Sequence, residues 1–250
     1  MIRSSELHYI GTLRPQEPAV LMIPGALTSP AVFDGIGGGL PCQSAVIDWC
    51  GSPGPWDVVE VGKRVLEFIS EHELGKTVLA GYSAGGIISM AAGSRDEDKL
   101  ISGMLISNTG ACAVGHGDYG LPQRILAGWP GEDILEPFFA RCFARPVPTA
   151  LKEKLKEYAR SLSRETAYEA TSSCRVHDLR GELHKITCPV VIAHGKLDQT
   201  RREEHVKQMK DGIPDTEVFW LDGGHTIMVE DREHYRKALN YLLDKVGMGK

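Results

Sequence analysis

The feature that most constrains this chain is an alternation of short apolar runs, each stopping at turn residues, with longer stretches of helical periodicity. The runs are residues 19–23 (AVLMI), 44–48 (SAVID), 77–80 (TVLA), 100–107 (LISGMLIS), 189–193 (PVVIA) and 217–221 (EVFWL). They lack the polar alternate of a half-wet strand, so they suit strands covered on both faces, as in a parallel sheet. Between them lie residues 58–71 (VVEVGKRVLEFISE), 84–93, 202–209 and 231–246, and in the last Tyr235, Ala238, Leu239, Leu242 and Leu243 recur at the spacing of one helix face. Strand alternating with helix predicts an α/β fold with a doubly wound, mostly parallel sheet.

From residue 110 to residue 185 the strand pattern lapses. That segment instead carries helical stretches at 134–143 and 151–162, separated by Pro146 and Pro148, and reads as a mostly helical insertion between two strands. A chain of 250 residues is within the range of one α/β unit, so residues 1–250 are expected to form a single domain with the insertion at 110–185 inside it. The charged stretch LKEKLKEYAR within it suits the solvated face of a helix.

Composition removes several classes of function. Lys and Arg total 28 against 33 Asp and Glu, a net charge of −5, which lacks the basic excess of a nucleic-acid binder. The opening MIRSSELHYIGTLRPQEP has no apolar run suited to a signal peptide, and no stretch has the length of a membrane span, so a cytoplasmic location without membrane partners is expected. Cys42, Cys50, Cys112, Cys142, Cys174 and Cys188 are scattered without metal-binding or redox spacing, and are expected to be reduced, mostly buried thiols. The expected partner is a small-molecule substrate, with no cofactor and no metal.

The sharpest chemical signal is Gly81-Tyr82-Ser83-Ala84-Gly85, a G-x-S-x-G pattern between an apolar strand run and a helix that starts at once. A strand turning so abruptly into a helix forces its central residue into a strained backbone, and small neighbours let the chain pass. Ser83 would then stand above the sheet at a helix N-terminus, where the dipole favours developing negative charge. A glycine-rich turn with an incidental serine explains the pentapeptide alone; the flanking strand and helix favour a nucleophile.

A serine hydroxyl needs a base to activate it and a third group to hold the base in the right tautomer. Of the nine histidines, His225 lies in a glycine-containing loop between the last apolar run and the final amphipathic stretch. His8, His72, His177, His184, His205 and His234 read as surface or helix residues, and His116 as part of an irregular loop. Asp198, in the loop just after PVVIA, is the candidate acid, since a parallel sheet presents such loops on the same edge as Ser83. The order Ser, Asp, His is the one expected of this arrangement. Asp222, close before His225, is the second candidate but better suits shaping the loop. The backbone N–H groups of Ala84 and Ala26 are candidate donors to an oxyanion, although Pro24-Gly25 also fits a plain turn.

On these residues the chain resembles the α/β-hydrolase superfamily over nearly its full length. Ile23-Pro24-Gly25-Ala26 resembles the oxyanion loop, Gly81 to Gly85 the nucleophile elbow, His194 to Asp198 the acid loop and Gly224-His225 the histidine loop. Two departures stand out: Pro24 replaces the histidine usual before the oxyanion glycine, and Asp48-Trp49-Cys50-Gly51-Ser52-Pro53-Gly54-Pro55-Trp56 is a Pro- and Trp-bearing variant of a common family loop. The resemblance implies that residues 110–185 form a helical lid over Ser83. Trp129, Phe138, Phe139 and Phe143 would then line an apolar pocket or, equally, pack the lid onto the body; no arginine pair is placed to bind a carboxylate, and Arg124, Arg141 and Arg145 suit solvated positions equally well. The implied activity is hydrolysis of a carboxylic ester or lactone. Alternatives are carbon–carbon bond hydrolysis or lyase chemistry on the same scaffold, and a ligand-binding receptor that keeps the triad without turnover.

Overall fold

The computed structural model describes residues 5–115 and 118–249, so His116 lies outside the described residues. The sheet has seven strands in the order β1-β3-β2-β4-β5-β6-β7. They are β1 (Tyr9–Gly11), β2 (Ala19–Ile23), β3 (Gln43–Ile47), β4 (Thr77–Tyr82), β5 (Ile101–Ser107), β6 (Val190–Gly195) and β7 (Thr216–Leu221). All pairings are parallel except that of β1 with β3. Every residue of β2, β4 and β6 is buried, as their unbroken apolar runs require.

The edges depart from the pattern. β1 is three exposed residues that pair antiparallel with β3, too short and too wet to give an apolar signal. β7 was expected to be covered on both faces, but it is an outer strand whose Trp220 is 41% exposed. Its Val218 and Phe219 pack against opposite cores, one on each face of the sheet.

Helices α1 (Val58–Glu71), α2 (Ala84–Gly93) and α7 (Glu203–Gly212) contribute to the core on one face, and α9 (Arg232–Lys245) to the core on the other. Asp57 caps α1 by accepting the N–H groups of Val59 and Glu60 at 2.9 and 3.3 Å. The face of α9 read from the sequence is buried as expected, with Tyr235, Ala238, Leu239, Leu242 and Leu243 at 0% exposure. A short helix, α8 (Ile227–Glu230), precedes it.

Between β5 and β6 run four helices, α3 (Leu121–Gly128), α4 (Glu132–Cys142), α5 (Thr149–Ser161) and α6 (Arg164–Val176). Two of them, α4 and α5, match expected stretches, although α4 begins two residues earlier and continues through Pro137. The other two lacked a readable apolar stripe. α3 is short, and α6 buries small or polar residues, Thr166, Ala167, Ala170, Thr171 and Ser173, that do not register as a hydrophobic face. Among the described residues no helix is long and apolar enough to cross a membrane.

Helices α1 and α2 touch through Gly62, where a Cβ would lie 3.1 Å from Ala91 Cβ, Ala92 N and Ile88 O. Gly62→Val should therefore destabilise the fold by about 1–3 kcal/mol, whereas Gly181→Ala, with nothing within 4 Å of the new Cβ, should stay within about 0.5 kcal/mol of wild type in urea unfolding.

Candidate active site

The site forms where β4 turns into α2. Ser83 has φ 54 and ψ −114, a left-handed backbone that a side chain rarely adopts, and its N–H donates to Ser107 O at 2.9 Å. The turn closes because its neighbours lack side chains: a Cβ on Gly81 would lie 2.3 Å from Gly85 O, and one on Gly85 only 1.9 Å from Ile23 O. This contact seats the start of α2 on the end of β2. Gly25, in the loop after β2, consequently comes so close to Ser83 that a Cβ there would lie 3.1 Å from Ser83 Cβ.

The loop after β2 is braced by the segment that departs from the family pattern. Trp49 is 1% exposed, and its indole Nε1–H donates to Pro24 O at 2.9 Å. The indole thus supports the loop that carries Pro24, and Leu27 in the same loop takes φ 60.

Ser83, His225 and Asp198 meet above the sheet edge. His225 Nε2 lies 3.0 Å from Ser83 Oγ, and His225 Nδ1 lies 2.8 Å from Asp198 Oδ2. His225 is 5% exposed and the Asp198 side chain 0%. Asp198 Oδ1 accepts the backbone N–H groups of Thr200 and Arg201 at 2.7 and 3.1 Å, and Oδ2 also accepts Asn108 Nδ2–H at 2.8 Å. Burial pushes the Asp198 carboxyl up, but the His225 imidazole, Asn108 and the Arg201 N–H outweigh burial and hold it well below the usual carboxylate range. With Asp198 ionised, the proton of the imidazole sits on Nδ1 and Nε2 is left to accept from the Ser83 hydroxyl. A serine held this way can lose its proton as it attacks a carbonyl.

Asn108 was not singled out from the sequence, yet it links three loops. Its Nδ2 also donates to Gly224 O at 3.1 Å, joining the end of β5 to the acid loop and the histidine loop. Its neighbour Thr109 donates through Oγ1 to Ser83 O at 2.7 Å. The histidine loop is fixed further by Thr226, whose Oγ1 donates to Cys142 O at 2.9 Å and meets Tyr82 OH at 3.0 Å. The second acid candidate, Asp222, turns away: its carboxylate is 70% exposed and pairs with Arg145 at 2.8 Å.

A cavity of about 60 Å³ adjoins Ser83 and His225, and Ala26 and Ala84 are both on its wall. Helices α3, α4 and α6 supply Leu121, Phe138, Arg141, Thr171 and Arg175 to the same wall. Of the four aromatics read as lining a pocket or packing the lid, Phe138 is on the cavity wall. Phe139 is instead 2% exposed in the core, because it lies on the buried face of α4. Trp129 donates through Nε1 to Leu162 O at 2.9 Å, and Phe143 packs against the core on the α9 side, so neither reaches the cavity. Arg124 and Arg141, whose side chains are 46% and 32% exposed, both pair with Asp118, at 2.7 and 2.5 Å. Among the described residues no cluster of His, Cys, Asp or Glu is placed to hold a metal ion.

Residues 20–236 match the model of the alpha/beta hydrolase family, and the chain belongs to that family. It is 26% identical over 201 residues to the AB hydrolase superfamily protein YisY of Bacillus subtilis, covering 72% of each chain. Among solved structures it resembles the esterase EaEST of Exiguobacterium antarcticum, with a TM-score of 0.80, 21% identity and coverage of 96% of this chain and 94% of that one. The enol-lactonase of Burkholderia xenovorans superposes with a TM-score of 0.83 at 17% identity, covering 95% and 96% of the two chains.

The depressed Asp198 carboxyl gives a stability prediction with a definite sign. Its contribution is fully present above the ordinary aspartate value of 3.8 and is lost as pH falls below that value toward the lowered one. The stability difference between wild type and Asp198→Asn should therefore shrink as denaturant unfolding is repeated from about pH 6 down to about pH 3. A difference constant across that window would contradict the assignment.

Proposed function

We propose that this chain is a serine hydrolase that cleaves a carboxylic ester or lactone of a small, partly apolar substrate through an acyl-enzyme. The observation that carries the reading is the hydrogen-bonded series from Ser83 Oγ through His225 to the buried Asp198 carboxylate, set on a strained turn beside a cavity.

In the first half of the reaction Ser83 Oγ attacks the carbonyl carbon and its proton passes to His225 Nε2. The imidazolium that forms is stabilised by the Asp198 carboxylate at Nδ1. The backbone N–H groups of Ala26 and Ala84 receive the oxyanion; a donor of this kind supplies about 3 kcal/mol of transition-state stabilisation. The Ala84 N–H suits the task because the first amides of a helix have no partner within it. Collapse of the intermediate breaks the carbon–oxygen bond to the leaving alcohol, which takes the proton from His225. Water then enters, gives a proton to His225 and attacks the acyl carbon; release of the acid returns the proton to Ser83.

The helices between β5 and β6 act as a lid within a single domain, a reading supported by the cavity-wall residues that α3, α4 and α6 provide. The six free cysteines, four of them buried, fit a reducing compartment and support action in the cytoplasm.

Labelling by a fluorophosphonate probe, followed by turnover of a p-nitrophenyl ester panel, tests the proposal. Wild type should label, and Ser83→Ala and His225→Ala should lose labelling and at least about a thousandfold in kcat/KM. Full activity in Ser83→Ala would falsify it.

A further inference from the structure

The cavity beside Ser83 carries more positive charge than its own wall neutralises. Arg141, Arg175 and Arg201 line it, and Asp118 is the acidic residue that accompanies them. Asp118 is already engaged by Arg124 at 2.7 Å and Arg141 at 2.5 Å. Arg175 is anchored to main-chain oxygens: Nε and Nη2 donate to Asp118 O at 3.0 and 2.6 Å, and Nη1 donates to Thr171 O.

Arg201 is satisfied least. It is 3% exposed, and its Nη1 donates to Cys112 O at 2.8 Å, which leaves Nε and Nη2 without an acceptor among the described residues. Asp198 acts on it as a nearby charge, but the Asp198 oxygens are taken by His225, Asn108 and backbone N–H groups. A buried guanidinium is costly unless it is paired and hydrogen-bonded, and a planar fork of donors matches a carboxylate in two-point contact.

We propose that the substrate of Ser83 carries a carboxylate at the far end of its acyl chain and that Arg201, flanked by Arg175, receives it. This inference rests on the acyl-enzyme reading above and narrows it to half-esters and carboxylate-bearing lactones. The carboxylate is bound and not consumed; it fixes which carbonyl lies over Ser83. Burial lowers the proton affinity of both Arg201 and Arg175, as it does for guanidinium groups held away from solvent, although Asp198 and Asp118 act on them as nearby charges.

The test compares hydrolysis of monomethyl succinate with that of methyl isocaproate, whose isopropyl end has the shape of the carboxylate without its charge. Wild type should favour the succinate by about tenfold or more in kcat/KM, and Arg201→Gln should cut that preference by about tenfold, to near parity. Arg201→Lys should retain part of it, and Arg180→Gln, which removes an exposed arginine paired with Asp178, should leave the ratio at its wild-type value. A wild-type preference for the neutral ester, or a ratio that Arg201→Gln does not move, overturns the proposal. Should Arg201→Gln fail to fold, succinate must slow fluorophosphonate labelling of wild-type Ser83 more than succinamide does; equal effects overturn the proposal while leaving the hydrolase reading intact. Wild type that does not label at all defeats the hydrolase reading instead, and calorimetric binding of succinate to wild type then decides the anion site by itself, with no binding counting against it.

Discussion

The interaction on which the site depends is a backbone contact, the seating of Gly85 on the carbonyl of Ile23. Any side chain at residue 85 would put its first carbon 1.9 Å from that oxygen, so the start of α2 could not approach the end of β2. With the contact made, Ser83 is lifted above the sheet and the loop containing Gly25 and Ala26 is brought beside it. One short approach therefore aligns the serine, the first amide of α2 and the loop after β2. The left-handed conformation at Ser83 costs on the order of 1–3 kcal/mol, and the fully buried β4 before it and fully buried α2 after it offset that strain by fixing both ends of the turn.

The Asp198 carboxylate organises the other half of the site. It draws donors from its own loop, from Asn108 at the end of β5 and from His225 beyond β7. Asn108 bridges by donating both to Asp198 and to Gly224 O, so the acid loop and the histidine loop are held to the strand that neighbours β4. Each of these donors favours the ionised carboxylate, and the ionised carboxylate in turn fixes which imidazole nitrogen faces Ser83.

What was legible in the sequence follows from the range of the forces involved. The buried strands and the stripe of α9 could be read because each is a run or period of apolar residues within one segment. Ser83, Asp198 and His225 could be read because each sits in a loop whose position is dictated by the strand before it. β1 escaped because its pairing with β3 is a main-chain interaction that its exposed residues do not advertise. Helix α6 escaped because it packs through small and polar side chains. Asn108 and Arg201 escaped for a different reason: their partners are Gly224 O and Cys112 O, 116 and 89 residues away in sequence. For the aromatics the composition was readable but the direction was not, since Phe138 and Phe139 are adjacent on α4 and successive helical residues point about 100° apart. One consequently meets the cavity and the other the core.

The charges around the cavity obey the same economy as the triad, with opposite sign. Asp198 is a buried anion made tolerable by four donors, and its field also reaches Arg201, whose backbone N–H is one of those donors. That field offsets part of the cost of burying the guanidinium without occupying its free N–H groups. A direct Asp198–Arg201 ion pair would have drawn the carboxylate away from His225 Nδ1 and weakened the imidazole's orientation toward Ser83. Keeping the two charges close yet unpaired preserves Asp198 for the histidine and leaves Arg201 with donors that have no acceptor among the described residues. A desolvated fork of this kind gains more from an incoming carboxylate than a solvated surface arginine does, because the attraction acts where water screens it least. On the proposed reading, the electrostatic arrangement that would prepare Ser83 for attack would also give the cavity its affinity for an anion.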